Sequence, residues 1–162
     1  MNSTNQSSLT LYGETFNSRL LLGTAQYPSP QSLLDAIELS QCDIVTLGLR
    51  RQDPTNSGGD SFWKSIKATG KKLLPNTAGC KSVKEAVTTA EMSREIFETE
   101  WLKLEGIGDD YNLQPDPYAL VDAAKELIQR GFKILPYCTD DLIVCQKLLD
   151  VGCEVIMPWG AP

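Results

Sequence analysis

The chain contains no histidine, and that one absence removes several chemistries. Cys-His zinc sites, Cys-His nucleophiles and Ser-His-Asp triads all need an imidazole. Its five cysteines (Cys42, Cys80, Cys138, Cys145 and Cys153) form no C-x-x-C pair, so zinc-finger spacing is missing too. They read mainly as reduced, buried small hydrophobes, and no metal site is expected. Long apolar runs are also lacking: nothing approaches the roughly 20 residues of a membrane span. The opening MNSTNQSSLT has neither the basic start nor the apolar centre of a secretory signal, so a cytoplasmic chain without membrane contact is expected. Positive charge is in deficit. With 15 Lys and Arg against 21 Asp and Glu, the net charge is −6, which disfavours nonspecific attraction to nucleic acid or anionic lipid and leaves small molecules and proteins as partners.

What is present is an ordinary globular composition, 41% hydrophobic and 22% charged over 162 residues, enough for a real core. Residues 1–8 are a polar stretch expected to be a disordered tail, and 9–162 are expected to form one domain. LTLYGETF alternates around Gly13 and predicts a small hairpin, an appendage to the rest of the domain. Six nearly continuous apolar runs then recur: RLLLGTA, DIVTLGLRR, KLLPNTAG, WLKLEGIG, KILPYCT and EVIMPWG. Runs of this kind suit parallel strands covered on both faces. Between them lie helix signals: Ser29-Pro30 and Asp116-Pro117 place a cap before a first-turn proline, and SVKE at 82–85 is a capping box. Alternating units of about 25 to 30 residues imply a parallel sheet with right-handed crossovers. LLLGTAQYPSP supplies no G-x-G-x-x-G turn after the first strand, which weakens a doubly wound dinucleotide fold. The expected fold is therefore an α/β chain of the (β/α)₈ TIM-barrel type. A full barrel takes about 250 residues, so this one is incomplete, with about six of eight βα units and open edges on its first and last strands.

Barrel active sites lie at the C-terminal ends of the strands. The candidates there are Arg50 and Arg51 after run two, Asn76 and Thr77 after run three, Cys138 at the mouth of run five, and Gly160 after run six. Asp140 and Asp141 read first as a helix cap. Run four stands apart. On a strand, Trp101, Lys103 and Glu105 share one face and Leu102 and Leu104 the other. The leucines suit the helix layer, which turns Lys103 and Glu105 toward the barrel interior, where two charges must pair, reach water or bind something. A structural ion pair is one reading. The other is a nucleophilic lysine that attacks a carbonyl to form a Schiff base, with the carboxylate as acid or base on neighbouring carbons. Spacing leaves both open.

Taken in order, SRLLLGTAQYPS, LLPNTAGCKSVKEAV, WLKLE, QPDP, ILPYCTDD and VGCEVIMPWGAP closely resemble bacterial thiazole synthase, the enzyme that builds the thiazole ring of thiamine, over essentially residues 9–162. The resemblance implies a partial thiazole synthase barrel domain, with no cofactor, that binds 1-deoxy-D-xylulose 5-phosphate as an imine on Lys103. Glu105 would transfer protons, while Arg50, Asn76, Thr77, Cys138 and Gly160 remain candidate substrate contacts on the strength of their strand-end positions. It further implies sulfur delivered by a thiocarboxylated carrier protein, dehydroglycine supplied by a tyrosine lyase or glycine oxidase, and a cytoplasmic homotetramer. GTAQY stands here for the family's GTGKY, Gly106 for a Val or Ile, and LQPDP for LLPDP. The family pattern continues past GAP into glycine loops that hold the sugar phosphate. Two alternatives stay open at this point: another imine-forming barrel lyase or aldolase, and a noncatalytic fragment that binds the sulfur carrier.

Overall fold

The computed structural model of the chain describes residues 8–49, 59–106, 108–109 and 111–160. Nearly all of the expected tail and both Arg50 and Arg51 lie outside the described residues.

The chain opens with the expected hairpin, β1 (Leu9–Leu11) and β2 (Glu14–Phe16), paired antiparallel with Leu9 opposite Phe16. Its two turn residues, Tyr12 and Gly13, both take positive φ (48° and 75°), the backbone that suits a tight hairpin. The next six strands are β3 (Leu21–Gly23), β4 (Ile44–Gly48), β5 (Lys72–Asn76), β6 (Trp101–Leu104), β7 (Lys133–Cys138) and β8 (Met157–Pro158). They pair in chain order into one parallel sheet with β3 and β8 at its edges. Between them run α1 (Pro30–Ser40), α2 (Gly59–Ala68), α3 (Val83–Phe97), α4 (Pro117–Gln129) and α5 (Leu142–Asp150). This is the incomplete α/β barrel expected from the alternating pattern.

Local chemistry starts these helices where the capping signals lie. Ser29 accepts from Ser32 N–H at 3.1 Å and Ser82 from Glu85 N–H at 3.2 Å. Asp116 takes the amides of Tyr118 and Ala119 at 2.9 and 3.1 Å. Asp141, not Asp140, caps α5 by accepting from Val144 N–H at 2.9 Å. Gly131 and Gly152 come after α4 and α5 at φ 86° and 109°, the left-handed backbone that glycine adopts without steric cost.

Strand alternation sorts side chains into two cores. Outward residues of β6 and β7 (Leu102, Leu104, Ile134) pack on Ala86, Ala90, Leu120 and Leu127 of the helices. Inward residues Ile44, Leu74, Trp101 and Leu135 instead form an apolar layer across the inside of the curled sheet.

The hairpin belongs to that inner layer, which corrects its expected status as an appendage. Phe16, 6% exposed, closes the layer from below. Its ring meets Trp101 edge-on at 5.7 Å, as does Tyr12 at 5.6 Å. Tyr12 donates its hydroxyl proton to the Ile134 carbonyl, and Trp101 donates its indole N–H to Glu14 at 3.2 Å. Glu14 also pairs with Lys72 and, at 3.5 Å, Lys133, the inward residues that open β5 and β7. The hydrogen bond from Lys72, more than its charge, holds the Glu14 carboxyl below its usual range. The N-terminal mouth of a barrel exposes apolar inward side chains, and the hairpin removes them from water.

Candidate active site

Above the apolar layer the inward positions change character. Gly23 of β3, Thr46 and Gly48 of β4, Asn76 of β5, Lys103 and Glu105 on and just after β6, and Tyr137 of β7 surround a cavity of about 570 Å³. It opens at the C-terminal end of the sheet. Small residues on β3 and β4 make the room, and the charges stand on the opposite wall.

Lys103 Nζ lies 2.8 Å from Glu105 Oε1, with side chains 23% and 15% exposed. The period of two places both in the cavity while Leu102 and Leu104, each 0% exposed, enter the helix layer. Each charge compensates the other in a site where an unpaired charge would be costly. The Tyr137 ring faces the same ammonium, 5.5 Å from its centroid. Burial first, then the negative charge of Glu105, push the Tyr137 hydroxyl above its ordinary pKa of 10.0, so it stays a neutral donor near neutral pH. Chemically, the wall offers an amine, a carboxylate within proton-transfer reach and a phenol, a set suited to imine formation and acid–base work on adjacent carbons.

The other site residues expected from sequence separate. Asn76 is in register with Lys103 across β5 and β6 and lines the cavity. Its side-chain oxygen accepts from Ala78 N–H at 3.2 Å, which fixes the amide. Thr77 is fully buried, and its hydroxyl bonds the backbone of Glu105 rather than facing the cavity. Cys138 corrects an expectation: it is 0% exposed and packs in the outer core, its sulfur 3.9 Å from that of Cys145. Because Tyr137 points inward, the next residue must point outward. Burial, then neighbouring Cys145, push the Cys138 thiol up to about 12; Cys153, buried likewise, is pushed to about 11. Gly160 is exposed beyond β8 and is not part of the cavity wall. Tyr137, which finishes run five together with Cys138, is the one of the two that enters the wall. The phase of β7 makes that choice: Leu135 pairs with inward Lys103, and Tyr137 comes two residues later. Among the described residues no group of three potential metal ligands occurs, and no helix is long and apolar enough to cross a membrane.

Comparison with known proteins gives this geometry a family. The chain is 61% identical over 155 residues to a thiazole synthase of Ralstonia pickettii, covering 95% of this chain and 56% of that protein. It is 60% identical over 158 residues to a thiazole synthase of Neisseria meningitidis, covering 95% and 59%. It thus spans less than two thirds of the length of these relatives. The solved Amycolatopsis orientalis BexX/CysO complex contains a chain with the same fold, at TM-score 0.73 and 23% identity over 91% of this chain and 60% of that one. A family model described as "Thiazole biosynthesis protein ThiG" matches residues 10–162, nearly the whole sheet and its cavity, and the chain accordingly belongs to the thiazole biosynthesis protein ThiG family.

Proposed function

We propose that this chain serves thiazole synthase chemistry, forming the thiazole phosphate of thiamine from 1-deoxy-D-xylulose 5-phosphate, dehydroglycine and carrier-borne sulfur. The observation that carries the reading is the Lys103–Glu105 pair, 2.8 Å apart and directed into the cavity, in a chain about 60% identical to curated thiazole synthases. The ion pair and the nucleophile are two states of one site. In the resting state Lys103 is an ammonium held by Glu105. Loss of that proton to the carboxylate frees the amine, which adds to the sugar carbonyl carbon, and water leaves as the imine forms. Tyr137 can hydrogen-bond the departing oxygen.

Lys103 is the only cation among the described lining residues, so it is reserved for the carbonyl. The sugar phosphate would be held by the glycine loops that follow GAP in the family pattern, with Arg50 a further proposed substrate contact. Sulfur would come from the thiocarboxylate of a small carrier protein. The solved chain of this fold comes from a complex, BexX/CysO, which is in keeping with a protein partner here. Dehydroglycine would come from a tyrosine lyase or glycine oxidase, and the working form would be a cytoplasmic homotetramer.

Borohydride reduction in the presence of 1-deoxy-D-xylulose 5-phosphate, followed by peptide mass spectrometry, should place the sugar on Lys103, and Lys103→Ala should abolish the adduct. A chain that labels only with simple aldehydes would be another imine-forming lyase. A chain that captures a sulfur carrier but no sugar would be a noncatalytic docking subunit.

A further inference from the structure

We infer that Thr77 is the positioning residue for Glu105: its hydroxyl clamps the Glu105 backbone where the β5–β6 ladder has ended, setting the carboxylate against the Lys103 amine. The inference rests on the Schiff-base reading above and adds a residue to it. β5 ends at Asn76 and β6 at Leu104, so the N–H and C=O of Glu105 fall beyond the strand pairing. Thr77 supplies the missing partner. Its Oγ1 accepts from Glu105 N–H at 2.8 Å and donates to the Glu105 carbonyl at 2.8 Å. One hydroxyl therefore does what a neighbouring strand would do for that residue. The backbone N–H of Thr77 meanwhile donates to the Lys103 carbonyl at 3.2 Å, so a single residue holds the main chain of both members of the pair. At 0% exposure, with its hydroxyl committed to both polar groups of Glu105, Thr77 is not placed to touch substrate.

With its backbone held on both sides, Glu105 presents its side chain in a restricted set of directions, and the one adopted sets Oε1 beside Lys103 Nζ. The step that depends on this comes after imine formation. The carboxylate removes a proton from the carbon beside the imine carbon. The C–H electron pair becomes the enamine double bond, the C=N π pair moves to nitrogen, and the proton rests on Glu105 until it exchanges with water. In D₂O that carbon takes up deuterium.

Thr77→Val keeps the side-chain volume and the backbone bond to Lys103 but deletes both bonds to Glu105, whereas Thr77→Ser retains them. The two variants and the unaltered chain would be compared for the equilibrium fraction of Lys103 trapped by borohydride and for deuterium uptake by the sugar. We expect T77V to trap within about twofold of the unaltered chain but to exchange about tenfold more slowly or worse, a part of the roughly 10²- to 10⁴-fold that a positioned acid–base group contributes, because the carboxylate is misdirected rather than removed. T77S should restore exchange to within about threefold, since its hydroxyl can make the same bonds. Exchange by T77V at the unaltered rate would overturn the inference while leaving the Schiff-base reading standing. Equal loss of trapping and exchange in both variants would overturn it in favour of a general structural role. An unaltered chain that traps no sugar removes the Schiff-base reading and this inference together, a pattern distinct from the other two.

Discussion

Truncating Phe16 tests whether the hairpin is part of the barrel core. Phe16→Ala removes a ring that is 6% exposed, lies edge-on to Trp101 at 5.7 Å and completes a layer with Ile44, Leu74, Trp101 and Leu135. Buried Phe→Ala substitutions cost about 3–5 kcal/mol, from lost transfer energy and the cavity left behind. The loss should lie within that range because the sheet above the ring is rigidly paired and cannot collapse into the gap. Against a total of about 5–15 kcal/mol for a domain, this is a large fraction. Urea unfolding monitored by far-ultraviolet circular dichroism should show a lower midpoint at unchanged slope. Leu39→Ala is the control: Leu39 is 84% exposed on α1, and its truncation should stay within about 0.5 kcal/mol. If F16A were no more costly than L39A, the hairpin would be an appendage after all, and its sealing role would be wrong.

Two further outcomes come from the electrostatics. Glu105→Gln removes the smaller of the two causes that raise the Tyr137 hydroxyl pKa, so a tyrosine ¹³Cζ titration should show its midpoint fall while burial still holds it above 10.0; Tyr12, raised chiefly by burial at the other end of the sheet, should not move. An unshifted Tyr137 would contradict its placement beside Glu105. For Glu14, the folded pKa lies below the ordinary 4.5, so its stabilisation is fully present above that value and is lost as pH falls through the folded pKa. Glu14→Gln should therefore be the less stable protein at pH 7 by about 1 kcal/mol at most, since the carboxylate is 37% exposed and screened by solvent, and urea midpoints of the two proteins should converge as pH falls through the lowered Glu14 pKa.

Features governed by neighbours within a few residues were legible in the sequence. Ser29, Ser82 and Asp116 start helices because a cap acts over two or three residues, and the alternation at 101–105 sorts leucines from charges by strand geometry alone. Features that join distant positions were not. Phe16 and Trp101 meet from opposite halves of the chain, and nothing local to LTLYGETF reveals the layer it closes. The Thr77 clamp spans 28 residues and depends on where two strands stop pairing. The misplacement of Cys138 has a different cause: nearness to a strand's end does not make a side chain face the cavity, and the phase of β7 decides between Tyr137 and Cys138. Fixing that phase required the register of Leu135 against Lys103.

The three inward lysines of this sheet show how position along a strand decides what a charge can do. Lys72 and Lys133 stand at the first residues of β5 and β7, meet Glu14 from the hairpin, and lie 5.0 and 5.7 Å from the centre of the Trp101 ring. Lys103 stands two residues above Trp101 on β6, meets Glu105, and lies 5.5 Å from the Tyr137 ring. Both ends therefore use the same parts: ammonium, carboxylate and aromatic face. What differs is access. The lower set is capped by the hairpin, so its lysines serve to hold that hairpin in place. The upper set opens into a cavity of about 570 Å³, so its ion pair can be parted by a carbonyl substrate. The apolar layer between them keeps water from reaching the upper pair from below, which ties the packing of Phe16 to the chemistry proposed for Lys103.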